Sequence, residues 1–111
     1  MNVYDVANDL VKAMRESHEY KKMKAAKEAL NKDAESKKLV EKFLRLNQEA
    51  EISKYQGKEP AKETVEEIQK LYNLLALNSD AMEYLNSYMR FQMMLADVTK
   101  GIQDVVKEAV D

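Results

Sequence analysis

Apolar residues recur along this chain at helical spacing, and the alternating spacing of a strand is not sustained anywhere. Val6, Leu10 and Met14 fall every four residues, with Val3, Ala7 and Val11 beside them, which predicts a first helix over about 3–16. Asn2 is placed to cap it, and Asp5 lies in its first turn, where a carboxylate meets the positive end of the helix. Ser17 is placed to cap a second helix over about 18–31, with Tyr20, Met23, Ala26 or Lys27, and Leu30 on its apolar face. Lys27 interrupts that face or lies along it with its ammonium in water. Asp33 looks like the next cap, followed by Glu35. A long third helix then covers about 34–55, with Leu39, Phe43, Leu46 and Ala50 spaced 4, 3, 4 and Val40 and Leu44 widening the face. Glu41 and Arg45 are expected to pair along it, an i, i+4 contact of about 0.2–0.5 kcal/mol.

Gln56-Gly57-Lys58-Glu59-Pro60 reads as a loop, since Gly suits a helix end and Pro the start of the next. A fourth helix is expected over about 61–78, carrying Val65, Ile68, Tyr72 and Leu75 with Leu71 and Leu74. Asn78-Ser79 marks a stop and a restart, with Ser79 as the expected cap. The last helix covers about 80–109. Its seam is Tyr84, Tyr88, Phe91, Leu95, Val98, Ile102, Val105 and Ala109, spaced 4, 3, 4, 3, 4, 3, 4. That is the heptad pattern of helices packed side by side. Gly101 weakens the helix by about 1 kcal/mol relative to Ala.

Around residues 82–96 this helix is apolar on more than its seam. With Tyr84 at zero and 100° per residue, Leu85, Met89, Met82 and Met93 form a second apolar set between about 100° and 180°. After Asp97 that side turns polar, with Lys100, Gln103 and Lys107. A helix apolar nearly all round is expected to be covered nearly all round. One face then packs on the chain's own helices, and the other meets a second copy or a different protein. The candidate interaction interface is Met82, Leu85, Tyr88, Met89 and Met93, and methionine suits surfaces that accept varied partners. The plainer alternative is the central helix of a monomeric bundle.

Composition narrows the class. At 111 residues the chain is expected to form one helical domain over 1–111. Two Gly and one Pro are too few for a turn-rich sandwich or barrel. With no cysteine there is no disulfide, Cys-ligated zinc, iron–sulfur cluster or thiol catalysis. The start Met1-Asn2-Val3-Tyr4-Asp5 lacks the features of a signal peptide, and no stretch is apolar enough for a membrane helix. The expected location is therefore cytoplasmic, with no membrane partner. Net charge is −2, but residues 1–56 carry 12 basic against 10 acidic groups and residues 57–111 carry 6 against 10. Lys21, Lys22, Lys24 and Lys27 form a candidate basic patch, whose solvated reading competes with RNA or an acidic protein. Glu19 and Glu28 flank it, and no aromatic stacking platform is evident.

Catalytic and metal signals are absent. His18 is the only histidine and sits beside Ser17 at a helix start, where capping explains the pair. Residue 15 is Arg, so the Glu-x-x-His pair of a di-iron bundle is missing. Glu59, Glu63, Glu66 and Glu67 cluster, and Glu63 and Glu67 share a face. A solvated acidic first turn accounts for them better than a metal site. No Gly-rich phosphate loop occurs. No catalytic residue, cofactor or metal ligand is assigned, and an enzyme is not expected.

His18-Glu19-Tyr20, then Ala25 to Leu30, Asp33 with Glu35, Leu39-Val40 and Phe43 resemble the YlbF/YmcA family of bacterial cytoplasmic proteins. Over nearly its full length the chain looks most similar to the YheA-type branch. The resemblance implies an all-helical, oligomeric protein. It also implies kinship with non-enzymatic regulators of competence, sporulation and biofilm formation, which work in a complex assisting messenger RNA processing by an endoribonuclease. Some of those relatives hold iron–sulfur clusters on cysteines, a feature this cysteine-free chain does not share. The expected fold is all-α, five helices with the long third and fifth packed roughly antiparallel. The expected function is a homo-oligomeric protein–protein interaction module with a regulatory or scaffolding role, partnered by itself and by proteins of a regulatory complex. The alternative is an RNA-associated accessory factor.

Overall fold

Side chains placed at helix starts set the architecture. The computed structural model describes residues 1–110 as five helices: α1 (Val3–Glu16), α2 (His18–Leu30), α3 (Ala34–Tyr55), α4 (Lys62–Leu75) and α5 (Ser79–Val110). Asn2 Oδ1 accepts from the N–H groups of Tyr4 and Asp5, Ser17 Oγ from Tyr20, and Asp33 Oδ1 from Glu35 and Ser36. Each bond satisfies a first-turn donor that has no partner inside its helix. The cap of α5 is Asn78 rather than Ser79: its Oδ1 accepts from Ala81 at 3.0 Å. At the end of α3 the chain turns through Gly57, whose φ of 75° is the left-handed conformation a glycine adopts cheaply.

The core is small and lies where α2, α3, α4 and the start of α5 converge. Leu30, Val40, Leu75, Ala81 and Leu85 form it, with Phe43, Leu44, Met82 and Tyr84 packed at its edge. Leu75 and Val40 are each only 1% exposed. The most extensive helix–helix packing is α2 on α5, followed by α3 on α4. The two long helices α3 and α5 also meet, over a smaller area. Tyr20 stacks obliquely on Phe91 with ring centroids 5.9 Å apart, while Leu30 joins Ala81 in the core, so α2 runs antiparallel to α5. Ala26, Ala81 and Ser87, all buried, let helix backbones approach closely. Across α3 and α4, Phe43 meets Tyr72 at 6.2 Å, and Lys42 reaches Glu67 at 3.0 Å. The expected Glu41–Arg45 pair is not among the ion pairs of the described residues; α3 instead pairs Glu51 with Lys54 within itself at 3.7 Å and Lys42 with Glu67 of α4. An exposed i, i+4 pair contributes little, so its absence costs little.

The chain is flat and long, 49 × 36 × 15 Å, with a radius of gyration of 17.3 Å. A compact domain of this length has a radius near 13 Å.

Candidate interaction surface

The apolar surface predicted on α5 divides on folding. Leu85 turns inward to the core, 8% exposed, so it is a floor residue and not an exposed contact as expected from the sequence. It sits close enough to the seam that α3 and α4 cover it, and the wheel alone cannot say which apolar positions the chain covers itself. Met82 and Tyr88 are half-buried, and Tyr88 lies 6.0 Å from Tyr84 across one helical turn. Met89 and Met93 remain open to solvent, 61% and 62% exposed.

All of the candidate interface residues but Met93 line one side of an apolar groove between α3, α4 and α5. Phe43 and Leu44 of α3 and Tyr72 of α4 stand opposite Met82, Leu85, Tyr88 and Met89 of α5. Asn47, Asn86 and Gln92 supply polar groups at its rim, and its volume is about 340 Å³. The groove is open along its length, so it fits an extended apolar element better than an enclosed small molecule. Asn47 spends its side-chain N–H on the Phe43 carbonyl at 2.9 Å, which fixes one edge. Burial raises the Tyr84 phenol above its ordinary pKa, with smaller contributions from Tyr88 and Glu41.

A second open surface was not singled out from the sequence. No residue of α1 is buried, and among the described residues α1 approaches α2 alone. Every described residue of α5 beyond Lys100 is exposed, including Ile102, Val105 and Val106. The amphipathic pattern of both segments was legible, but not that they would lack a covering helix.

Lys22 leans toward Glu83 at 3.8 Å and is half-buried, while Lys21, Lys24 and Lys27 are exposed. In the acidic cluster Glu67 is engaged by Lys42 and Glu66 lies 4.0 Å from Lys62. Among the described residues no three His, Cys, Asp or Glu side chains gather as metal ligands would. No helix is long and apolar enough to cross a membrane.

The family model described as control of competence regulator ComK, YlbF/YmcA, matches residues 3–107. A UPF0342 protein of Caldicellulosiruptor saccharolyticus is 42% identical over 110 residues, covering 99% of this chain and 88% of that one. A UPF0342 protein of Symbiobacterium thermophilum is 34% identical, covering 98% and 94%. Among solved structures, a protein of unknown function (DUF964) from Bacillus stearothermophilus superposes with a TM-score of 0.73 at 17% identity, covering 96% of this chain and 93% of that one. Bacillus subtilis RicA in complex with RicF superposes with a TM-score of 0.59 at 20% identity, covering 98% and 96%. Neither the family description nor the names of these relatives is that of an enzyme.

Proposed function

The chain belongs to the YlbF/YmcA family, and on that premise we propose that it is a cytoplasmic, non-enzymatic protein–protein interaction module. It works as a homodimer or higher oligomer in a regulatory or scaffolding role. The observation that carries this reading is its uncovered surface. The described chain exposes 8823 Å². A monomeric protein of 12.8 kDa is expected to expose about 6,300 Å². The excess, about 2,500 Å² per chain, is above the roughly 800 Å² per partner that a standard interface buries.

The groove walled by Met82, Tyr88 and Met89 over Leu85, with the exposed Met93 further along α5, is the surface a protein partner would cover. Methionine and aromatic side chains there offer large apolar contact area with adaptable shape. A structure of this fold is a complex of RicA with RicF; a helical partner suits an open apolar groove between helices. A competence-related regulatory role follows from the family description.

Light scattering on the wild type and Met89→Asp tests the reading. Wild-type protein should have twice the 12.8 kDa mass of the chain, or a higher multiple, at tens of micromolar. Strictly monomeric wild type removes self-association. Met89→Asp should leave the fold intact, because residue 89 is mostly exposed, and should abolish binding of a helical protein partner.

The alternative, an RNA-associated accessory role, has in its favour the exposed Lys21, Lys24 and Lys27 on one short stretch of α2. It requires affinity that falls steeply with salt as counterions are released. Absence of RNA binding at low salt removes it.

A further inference from the structure

The seam of α5 is covered for only part of its length. From Tyr84 to Val98 its positions are half-buried, and within that stretch Tyr20 of α2 stacks on Phe91. The same seam continues through Ile102, Val105 and Ala109 with no partner from the chain. The helix that should continue the cover is α1, which precedes α2. At Ser17, however, the backbone leaves helical geometry, with φ −66° and ψ 151°. The Ser17 hydroxyl locks that bend by donating to the Met14 carbonyl at 2.6 Å and accepting from Tyr20 N–H at 3.1 Å. As a result α1 does not continue α2 as one helix, and among the described residues its backbone does not come close to that of α5.

Two amphipathic segments are therefore left largely open, the 14 residues of α1 and the last turns of α5. An isolated helix of 14 residues is marginal in water. On the apolar face of α1, Leu10 and Met14 are half-buried while Val6 and Val3 are exposed, Val3 at 79%. Both segments need a cover that the chain cannot give itself.

We infer that the cover is a second copy of this chain, with α1 of each copy packed antiparallel on the α5 arm (residues 99–110) of the other. This rests on the self-association proposed above and adds its location. A two-fold arrangement satisfies both open faces at once and leaves none to extend into a filament. A foreign partner would have to cover two separate segments on each chain. The excess of exposed surface is large enough for such an interface. Seating the partner's α1 where a straight continuation of α2 would run on α5, at the spacing of the Tyr20–Phe91 contact, places Val6 opposite Val105 and Leu10 close to Ile102. It also brings Asp5 near Lys107, opposite charges at the edge of the contact. The groove at Met89 stays free in this dimer and remains available to a different protein.

The chain has no cysteine, so single thiols report contacts without background. Val6→Cys and Val105→Cys chains are mixed and treated with a short bifunctional thiol cross-linker; Leu10→Cys with Ile102→Cys checks the neighbouring register, and Met89→Cys alone serves as the comparison. The expected result is a covalent heterodimer of the first two pairs and little product from Met89→Cys. Wild-type dimer with efficient Met89→Cys product and none from the α1–arm pairs overturns this inference and leaves self-association standing. Wild type that is monomeric by light scattering overturns both. Val105→Asp gives a second readout: residue 105 is 64% exposed within the chain, so the fold should survive while the dimer dissociation constant rises at least tenfold. An unchanged constant also overturns the inference.

Discussion

Asn78→Ala removes a knot that ties the starts of α3 and α5 together. The Asn78 side chain does two things at once. Its Oδ1 caps α5 through Ala81 N–H at 3.0 Å, and its Nδ2 donates to Ser36 Oγ at 2.7 Å. Ser36 is buried and donates its own hydroxyl hydrogen bond to Asp33 Oδ2 at 2.7 Å, while Asp33 caps α3. Losing an N-cap costs about 1 kcal/mol, and losing a hydrogen bond to a buried hydroxyl costs about another 1 kcal/mol. The expected loss is therefore about 2 kcal/mol, a fall in Tm of roughly 8–12 °C for a chain of this size. Urea denaturation and thermal melting by circular dichroism measure it, at one fixed protein concentration because association adds apparent stability. Asn78→Ser keeps a capping oxygen and should lose about half as much. A double-mutant cycle with Ser36→Ala should show coupling of at least about 0.5 kcal/mol. If Asn78→Ala melts within about 0.5 kcal/mol of wild type, the knot is not holding the two helices together.

Two further outcomes follow from single groups. Ser87 is buried against α2 with its hydroxyl lacking a hydrogen-bond partner among the described residues, so Ser87→Ala should be neutral or stabilising by up to about 1 kcal/mol in urea, and a clear loss would contradict that placement. The Asp33 carboxyl is held below its ordinary value of 3.8 by the Ser36 hydroxyl and then by the Ser36 N–H; its stabilisation is present above 3.8 and lost as pH falls through the lower folded value, so Asp33→Asn should flatten the acid limb of stability against pH, and an unchanged limb would count against the cap.

Helix bounds were the most legible feature of the sequence, because they are local. Asn2, Ser17 and Asp33 cap the helices they were expected to cap, and α3 covers 34–55 as its 4, 3, 4 spacing requires. Asn78 in place of Ser79 is a local error of one residue: either side chain can cap, and Ser36 across the fold decides between them. Partner choice was less legible, because a heptad seam says that a helix packs and not on what. The seam of α5 lies mainly on α2, a helix whose own apolar face is weak but whose Ala26 permits close approach. The methionine surface was half legible: composition marked Met89 and Met93, whereas Leu85 needed the positions of α3 and α4 to be assigned to the core. The bare state of α1 was hidden because it depends on the backbone direction at Ser17.

Small-angle X-ray scattering on the wild-type protein tests the central claim most directly, since it reads mass and dimensions together. Self-association requires a scattering mass of at least twice 12.8 kDa and a radius of gyration above the 17.3 Å of the single chain at tens of micromolar. A mass of 12.8 kDa with a radius near 17.3 Å would show that the open apolar faces are left to water in a monomer, and would contradict it.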